Sequence, residues 1–377
     1  MNDRFFQLKA GLYGTGAFGR FIIEALAQSE VIRVSALASR TPQRASAAAA
    51  QHGISRVHQT FEQLITDPDL DVIILATPPA EHGPQTLAAL GADKHVFVEK
   101  PMATTLEFAE RVIDAASART LVVAVDYPML YTPLVEAVTL FAKSQLVGPL
   151  LRISVESIAS SQGLDDSHWF WNKEISGGIF VEHGVHFFDW CGRIAGDAQR
   201  VVALTCSSGP LGPLARDASK VREDRVFAAV EHVQGAIASY YHAFVTQPQM
   251  ERTRSVLSFE SVDLILDGWI PNLLRLHGQG AAVGTTTIRR MMGRSVASVP
   301  DASAGFIFDA GPKQVLYASA VRAAIEDMAR SIREPGYIAR DDVRRALPSL
   351  QVAVAAREAA RIGRSVNLTS AKISALP

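Results

Sequence analysis

The feature that most constrains this chain is a regular alternation in its first third. Short β-rich runs stand at Leu8–Tyr13, Val31–Ala38, Asp71–Ala76, His95–Glu99 and Leu121–Val125. Helix-like stretches separate them at Phe18–Gln28, Pro42–His52, Glu81–Leu90 and Thr104–Ala118. The strand runs are apolar throughout rather than alternating, as strands covered on both faces require. Gly53 stands where a helix C′ cap belongs, and Thr104 and Thr105 where N-caps belong. Strand and helix repeated in this way predict a right-handed, doubly wound parallel sheet.

The pattern changes after Tyr131. A helix is expected over Leu134–Gln145, ending at Val147-Gly148-Pro149. Longer runs follow at Leu150–Ile158, Val201–Ser207, Val226–Val233, Ala236–Phe244 and Ser255–Leu266, with Gln234-Gly235 as a hairpin signal. Helices are expected over Ile179–Ile194, Val315–Ile332 and Asp341–Ile362, and loop or weak strand over Gly278–Ala304. The expected fold is therefore α/β. A Rossmann domain over residues 1–130 precedes an α+β domain over 131–377, built on a largely antiparallel sheet.

Charge narrows the function classes. The 377 residues carry 37 Lys plus Arg against 38 Asp plus Glu, a net charge of −1. That balance lacks the basic footprint of a nucleic-acid binder or of a protein held on anionic lipid. No apolar run approaches the roughly 18 residues of a membrane helix. The N-terminus runs almost directly into a strand, leaving no room for a signal peptide. Two cysteines, Cys191 and Cys206, cannot staple a chain this long. The expectation is a cytoplasmic protein acting on a small molecule, without nucleic-acid or membrane partners.

Gly14-Thr15-Gly16-Ala17-Phe18-Gly19 fits G-x-G-x-x-G between a strand and a helix, the context that gives the motif meaning. Gly14 would make the tight turn. Gly16 would admit a pyrophosphate to the helix N-terminus, and Gly19 would let helix and strand pack closely. The alternative is an ordinary glycine-rich turn. A carboxylate at the end of the second strand would hold the ribose of NAD. No Asp or Glu stands between Glu30 and Glu62, where Ser39, Arg40 and Arg44 stand instead. A hydroxyl and two guanidinium groups suit a 2′-phosphate, so NADP is expected, with NAD as the alternative.

Thr77-Pro78, with His82 just beyond, and Glu99-Lys100-Pro101 fall at strand ends, on the sheet edge where open α/β folds bind ligands. Thr77, Pro78, His82, Glu99 and Lys100 are expected to contact the cofactor. A Lys before Pro is pushed to an extended conformation, and its ammonium can stabilise negative charge on a substrate oxygen. A surface lysine paired with Glu99 is the structural alternative. These motifs, with the run Gly177–Asp189, resemble the glucose–fructose oxidoreductase/inositol dehydrogenase/rhizopine-catabolism family over essentially the whole chain. The resemblance implies a pyridine-nucleotide-dependent oxidoreductase in which Lys100 is catalytic. It also implies a homodimer or homotetramer formed through the outer sheet face of the second domain.

Glu182 and His186 lie four apart on the expected helix Ile179–Ile194, a spacing that puts both on one face. The resembled family commonly has Asp and His at these positions, so both residues are candidates for catalysis. The imidazole would move the hydroxyl proton and the carboxylate would orient hydroxyls. His183 is a further substrate-binding candidate, expected to face elsewhere. Core or helix-structural roles are the alternatives for the pair. A metal is set aside, because no His-Glu-x-x-His order or further ligand is evident. Trp169 and Trp171, just before the helix, are expected to wall a substrate pocket, with packing in the core as the alternative. The resemblance adds Tyr127 from a substrate-contacting loop, although Pro128, Met129 and Leu130 replace its usual Arg or Asn. The expected substrate is a secondary alcohol or ketone of a sugar, cyclitol or cyclic diol. A non-catalytic, cofactor-binding sensor or regulator is the competing class.

Overall fold

The computed structural model describes residues 7–161, 164–165, 167–208, 222–245, 247–293, 297–301 and 305–368. In chain order the first elements are β1 (Leu8–Tyr13), α1 (Ala17–Leu26), β2 (Ile32–Ala38), α2 (Pro42–His52), β3 (Arg56–Val57) and α3 (Phe61–Ile65). Then come β4 (Val72–Leu75), α4 (Pro79–Gly91), β5 (His95–Val98), α5 (Leu106–Arg119) and β6 (Val123–Val125). These strands form one six-stranded parallel sheet in the order β3-β2-β1-β4-β5-β6. The order reverses beside β1, which places the glycine loop at the topological switch point. All four residues of β4 are buried, as the unbroken apolar run requires. Gly53 caps α2 with a left-handed φ of 67°, and the Thr105 hydroxyl caps α5 by accepting from the Phe108 N–H.

The chain then forms α6 (Pro133–Lys143), β7 (Leu150–Ser160), α7 (Lys173–Ser176), α8 (Val185–Ala195), β8 (Ala198–Ser208), β9 (Arg222–His232) and β10 (Ile237–Val245). It continues through β11 (Arg252–Phe259), β12 (Asp263–Asp267), β13 (Leu273–His277), α9 (Ala281–Met292), β14 (Ala297–Asp301) and β15 (Gly305–Asp309). The last elements are α10 (Lys313–Arg333), α11 (Val343–Ile362) and β16 (Val366–Asn367). Ten strands form a mixed, mostly antiparallel sheet in which, among the described residues, only β7 and β10 pair in parallel. The second sheet is therefore largely antiparallel, as its period-two strands predicted.

The chain divides into two compact units, Met1–Tyr131 with Tyr317–Leu347, and Thr132–Leu316 with Pro348–Pro377. A contiguous second domain over 131–377 does not foresee this return. Val321, Ala324, Ile325 and Met328 of α10 join Leu12, Ile22, Ile32 and Leu37 in one buried cluster of the first unit. Helical period shows which face of α10 is apolar; it does not show what covers that face.

Three further expectations change. Gly278–Ala304, expected as loop or weak strand, contains α9. Gly284, Thr285, Ile288 and Met292 are its buried positions. A Cβ on Gly284 would press on Leu276 and Phe141, so this glycine serves close packing rather than a turn. Ser255–Leu266 is not one strand but the hairpin β11–β12, whose turn Glu260-Ser261-Val262 carries no glycine signal. The helix expected over Ile179–Ile194 begins with a π-helical turn, Phe180–Gly184, before α8. Such turns are rare and concentrate at functional sites.

Candidate active site

The glycine loop tests its own fit to a dinucleotide. Gly14 has a φ of +104°, and a Cβ there would overlap the Ala76 carbonyl oxygen. A Cβ on Gly19 would overlap the carbonyl oxygen of Gly14. A Cβ on Gly16 would meet nothing within 4 Å. Two glycines are thus demanded by packing, while the third leaves its backbone open at the N-cap of α1. The first N–H groups of α1 lack intrahelical acceptors, so this open backbone could hold a pyrophosphate. Thr15 and Ala17 belong to the same backbone turn. The Phe18 ring instead packs on Phe21 and Tyr317, with ring centroids 5.8 and 6.3 Å away. Phe18 therefore offers the loop its backbone, and its side chain to the core.

Ser39 follows β2, and its Oγ accepts from the Thr41 N–H at 3.3 Å. Arg40 and Arg44 are exposed at the start of α2, and neither has an ion-pair partner among the described residues.

The turns after β4 and β5 lie side by side, because Leu75 pairs with Val98. The first carries Thr77 and Pro78, the second Glu99 and Lys100. His82, from the first turns of α4, is 1% exposed. Its Nδ1 lies 2.7 Å from the Pro101 carbonyl oxygen and its Nε2 2.8 Å from that of Thr77. Expected to contact the cofactor, His82 has both ring nitrogens on backbone carbonyls and bridges the two turns. The Thr77 hydroxyl donates to Gln85 Oε1 at 2.7 Å.

A carboxyl cluster that sequence reasoning did not identify lies behind Lys100. Asp126 follows β6, and its N–H donates to the Val98 carbonyl at 2.9 Å. The Val125 N–H donates to the Asp341 carbonyl, also at 2.9 Å, and Ala124 forms an antiparallel bridge with Asp342. Asp126 and Asp341 are 1% and 0% exposed. Burial raises the Asp126 carboxyl well above the usual carboxylate range. The negative charges of Glu99 and Asp341 add to the rise, and Lys100 opposes it. Tyr131, whose hydroxyl donates to Asp327 at 2.9 Å, is likewise raised well above its usual value, by burial and then by Asp341 and Asp327.

The Asp126 carboxyl therefore holds its proton to higher pH in the folded chain than in the unfolded chain, where its pKa is about 3.9. Stability from this group is complete below that value and is lost as pH rises through the folded pKa, by up to about 1.4 kcal/mol per pH unit. Asp126→Asn does not titrate. Its melting temperature relative to the wild type is expected to climb over the interval that starts at the unfolded value of about 3.9 and runs upward in pH. A difference that is flat over that interval would show Asp126 ionised in the folded chain.

The second unit gathers another set. His186 is 4% exposed on α8, and Glu182 and His183 are half-buried in the π-turn. Trp269, on the turn after β12, lies edge-on to His186 at 4.4 Å and stacks on His183 at 5.8 Å. His183 therefore does not face away from His186; lying three residues before it, it shares the same tryptophan. His183 Nε2 lies 3.1 Å from Ser157 Oγ, which is 3.2 Å from Thr253 Oγ1. Its ring also meets His242 at 5.2 Å and Phe244 at 5.3 Å. Burial, then the nearby His183, lowers the His242 pKa well below its usual value, so this imidazole is neutral. Trp171 joins the group through Phe244, at 6.1 Å, and carries Arg222 over its face at 4.4 Å. Trp169 has ring contacts with His168 and Phe170 and, among the described residues, none with this group. Tyr127, in the first unit, is 2% exposed. The available signal for Trp269 was Gly268-Trp269 at the end of an apolar run, but its neighbours come from elements far apart in sequence.

Comparison with known proteins resolves the class. Residues 8–127 match an oxidoreductase family described as having an NAD-binding Rossmann fold, and residues 148–368 match its C-terminal α/β domain. The chain belongs to the Gfo/Idh/MocA oxidoreductase family. It is 28% identical over 240 residues to 1,5-anhydro-D-fructose reductase of Ensifer adhaerens, spanning 63% of this chain and 69% of that one. Several other relatives are matched over about half of their length. Among solved structures of this fold, an oxidoreductase from Agrobacterium radiobacter in complex with NAD+, L-tartaric acid and magnesium has a TM-score of 0.78 at 18% identity, covering 96% of this chain and 98% of that one. Levoglucosan dehydrogenase in complex with NADH and levoglucosan has a TM-score of 0.80 at 20% identity, covering 97% and 100%. As a Gfo/Idh/MocA protein the chain is an oxidoreductase with an NAD-binding fold. Among the described residues no helix is long and apolar enough to cross a membrane.

Proposed function

We propose that this chain is an NAD(P)-dependent dehydrogenase or reductase, NADP preferred. It interconverts a secondary alcohol and a ketone, or a lactol and a lactone, on a sugar, cyclitol or cyclic diol. The observation that carries this reading is the sheet edge of the first unit, where an open Gly16 backbone and the Lys100 turn rise from strands of one parallel sheet. The loop Gly14–Gly19 and the Thr77-Pro78 turn hold the dinucleotide, which when bound supplies or accepts the hydride. Lys100 binds and polarises the reacting oxygen, stabilising its negative charge. His186 holds or releases the hydroxyl proton, and Glu182 orients hydroxyls. Glu182 is one carbon longer than the Asp common in the family. The aromatic group of Trp269, Trp171 and Phe244 gives the ring of a substrate a face to pack on.

The outer sheet face supports a homodimer or homotetramer, since Leu204 and its register partner Phe227 are exposed there, at 63% and 38%. Cys191 and Cys206 are both free thiols, which suits the reducing cytoplasm.

Turnover with both cofactors across sugars, cyclitols and dihydrodiols tests the reading. Tight cofactor binding with no turnover on any of them would favour a sensor. Arg40→Ala tests the cofactor preference, because the guanidinium is exposed beside the missing carboxylate position. NADP affinity is expected to fall roughly tenfold, because alanine cannot make the charge-assisted hydrogen bond to the 2′-phosphate, and NAD affinity to change little. Titration of both cofactors decides; equal falls in affinity, or tighter NAD binding by the wild type, would overturn NADP.

A further inference from the structure

His82 bridges the two turns that flank the lysine. The turn after β4 abuts the glycine loop, since the Ala76 carbonyl occupies the space a Gly14 side chain would need. The turn after β5 carries Lys100-Pro101. His82 Nε2 reaches the Thr77 carbonyl at 2.8 Å and Nδ1 reaches the Pro101 carbonyl at 2.7 Å. A carbonyl oxygen only accepts hydrogen bonds, and a neutral imidazole carries a single N–H. In the neutral ring one of these two short contacts would set a lone pair against a carbonyl lone pair, inside a site that is 1% exposed. Only the imidazolium, with two N–H groups, satisfies both carbonyls.

We propose that His82 is a positioning residue for Lys100: held as an imidazolium, it donates to Thr77 and Pro101 and fixes the lysine turn relative to the glycine loop. The proposal rests on the role assigned to Lys100 above. It goes beyond that role by naming what sets the lysine's place and by assigning a buried positive charge to α4. The charged groups on the elements it joins are Glu81 beside it on α4 and Glu99 and Lys100 on the turn. A loosened Pro101 carbonyl lets the backbone of Lys100 shift, and displacements of an ångström at a reacting group are costly to rate and cheap to ground-state binding.

Two measurements on the full chain test it. In 15N-histidine-labelled wild-type protein, the His82 ring is assigned by through-bond correlation to its backbone. Both nitrogens are expected to be protonated at neutral pH. A His82 ring with one unprotonated nitrogen would overturn the proposal, whatever Lys100 does. The second measurement is a double-mutant cycle. His82→Gln, which keeps one donating nitrogen in place of two, is expected to lower kcat roughly tenfold, and His82→Phe, which keeps none, to lower it further. Cofactor Kd should move less than about threefold in both. In a Lys100→Met background the same His82 substitutions should have no further effect on kcat. Effects that add fully in that background, or an equal fall in kcat for Gln and Phe, would make His82 merely structural. Should Lys100→Met alone retain full turnover, the role of Lys100 fails, and the ring-protonation result still decides the charge of His82.

Discussion

Lys100→Met is expected to lower turnover by roughly 100-fold or more while leaving cofactor affinity within a few-fold. The ammonium of Lys100 is proposed to stabilise charge that develops on the substrate oxygen only as the hydride moves. Removing it therefore withdraws transition-state stabilisation and little ground-state binding. Methionine keeps an unbranched apolar stem close to that of lysine and deletes the charge, so most of the packing at the turn is retained. Loss of a positive charge beside Asp126 has a second expected consequence. Lys100 opposes the rise of the Asp126 pKa, so that carboxyl should hold its proton to still higher pH in the mutant. Steady-state kinetics with direct cofactor titration separates the two quantities. Turnover within a few-fold of the wild type would remove Lys100 from the chemistry, and equal falls in affinity and turnover would assign it to binding alone.

The glycine loop gives the second large effect, as a contrast between two substitutions of one kind. Gly19→Ala is expected to destabilise the first unit by about 1–3 kcal/mol. Its methyl group would overlap the Gly14 carbonyl and press on Leu12 Cδ2 at 3.3 Å. The obstruction is backbone, so no side-chain rotation relieves it. Gly16→Ala meets nothing within 4 Å and keeps a φ of −66°, which an alanine adopts freely. Its stability is expected to change by less than about 1 kcal/mol, the scale of an altered N-cap. Its cofactor affinity should nevertheless fall at least tenfold, because the methyl group occupies the approach to the first N–H groups of α1. Thermal unfolding and cofactor titration of both variants distinguish the roles. A Gly16→Ala protein that binds cofactor as the wild type does would refute a pyrophosphate at this loop.

Much of the first unit was legible in the sequence because its signals are local. The strand β1, the loop Gly14–Gly19 and the helix α1 occupy one continuous segment, and each glycine's task follows from the turn it must make. The runs that became β4 and β5 were apolar without alternation, and the structure buries nearly every residue of both. Thr105 and Gly53 marked helix ends through chemistry confined to a few neighbouring residues. Lys100 was visible for the same reason, since its place before Pro101 at a strand end is a property of adjacent residues.

What the sequence could not supply was contact between distant segments. Asp341 lies more than 200 residues beyond Asp126, yet its backbone is hydrogen-bonded to β6 and its carboxyl is buried with Asp126. Trp269 meets His186 only because the hairpin β11–β12 ends beside α8, whereas the sequence showed one long strand there. Gly284 looked like a loop residue because propensity penalises glycine in a helix by about 1 kcal/mol. Close packing against Leu276 and Phe141 reversed that preference. His82 was legible just beyond the turn after β4, but its two carbonyl partners depended on the pairing of β4 with β5. Local rules act through steric limits on one segment and can be read along the chain. Burial, carboxyl pKa values and the company of a histidine depend on which segments the fold brings together.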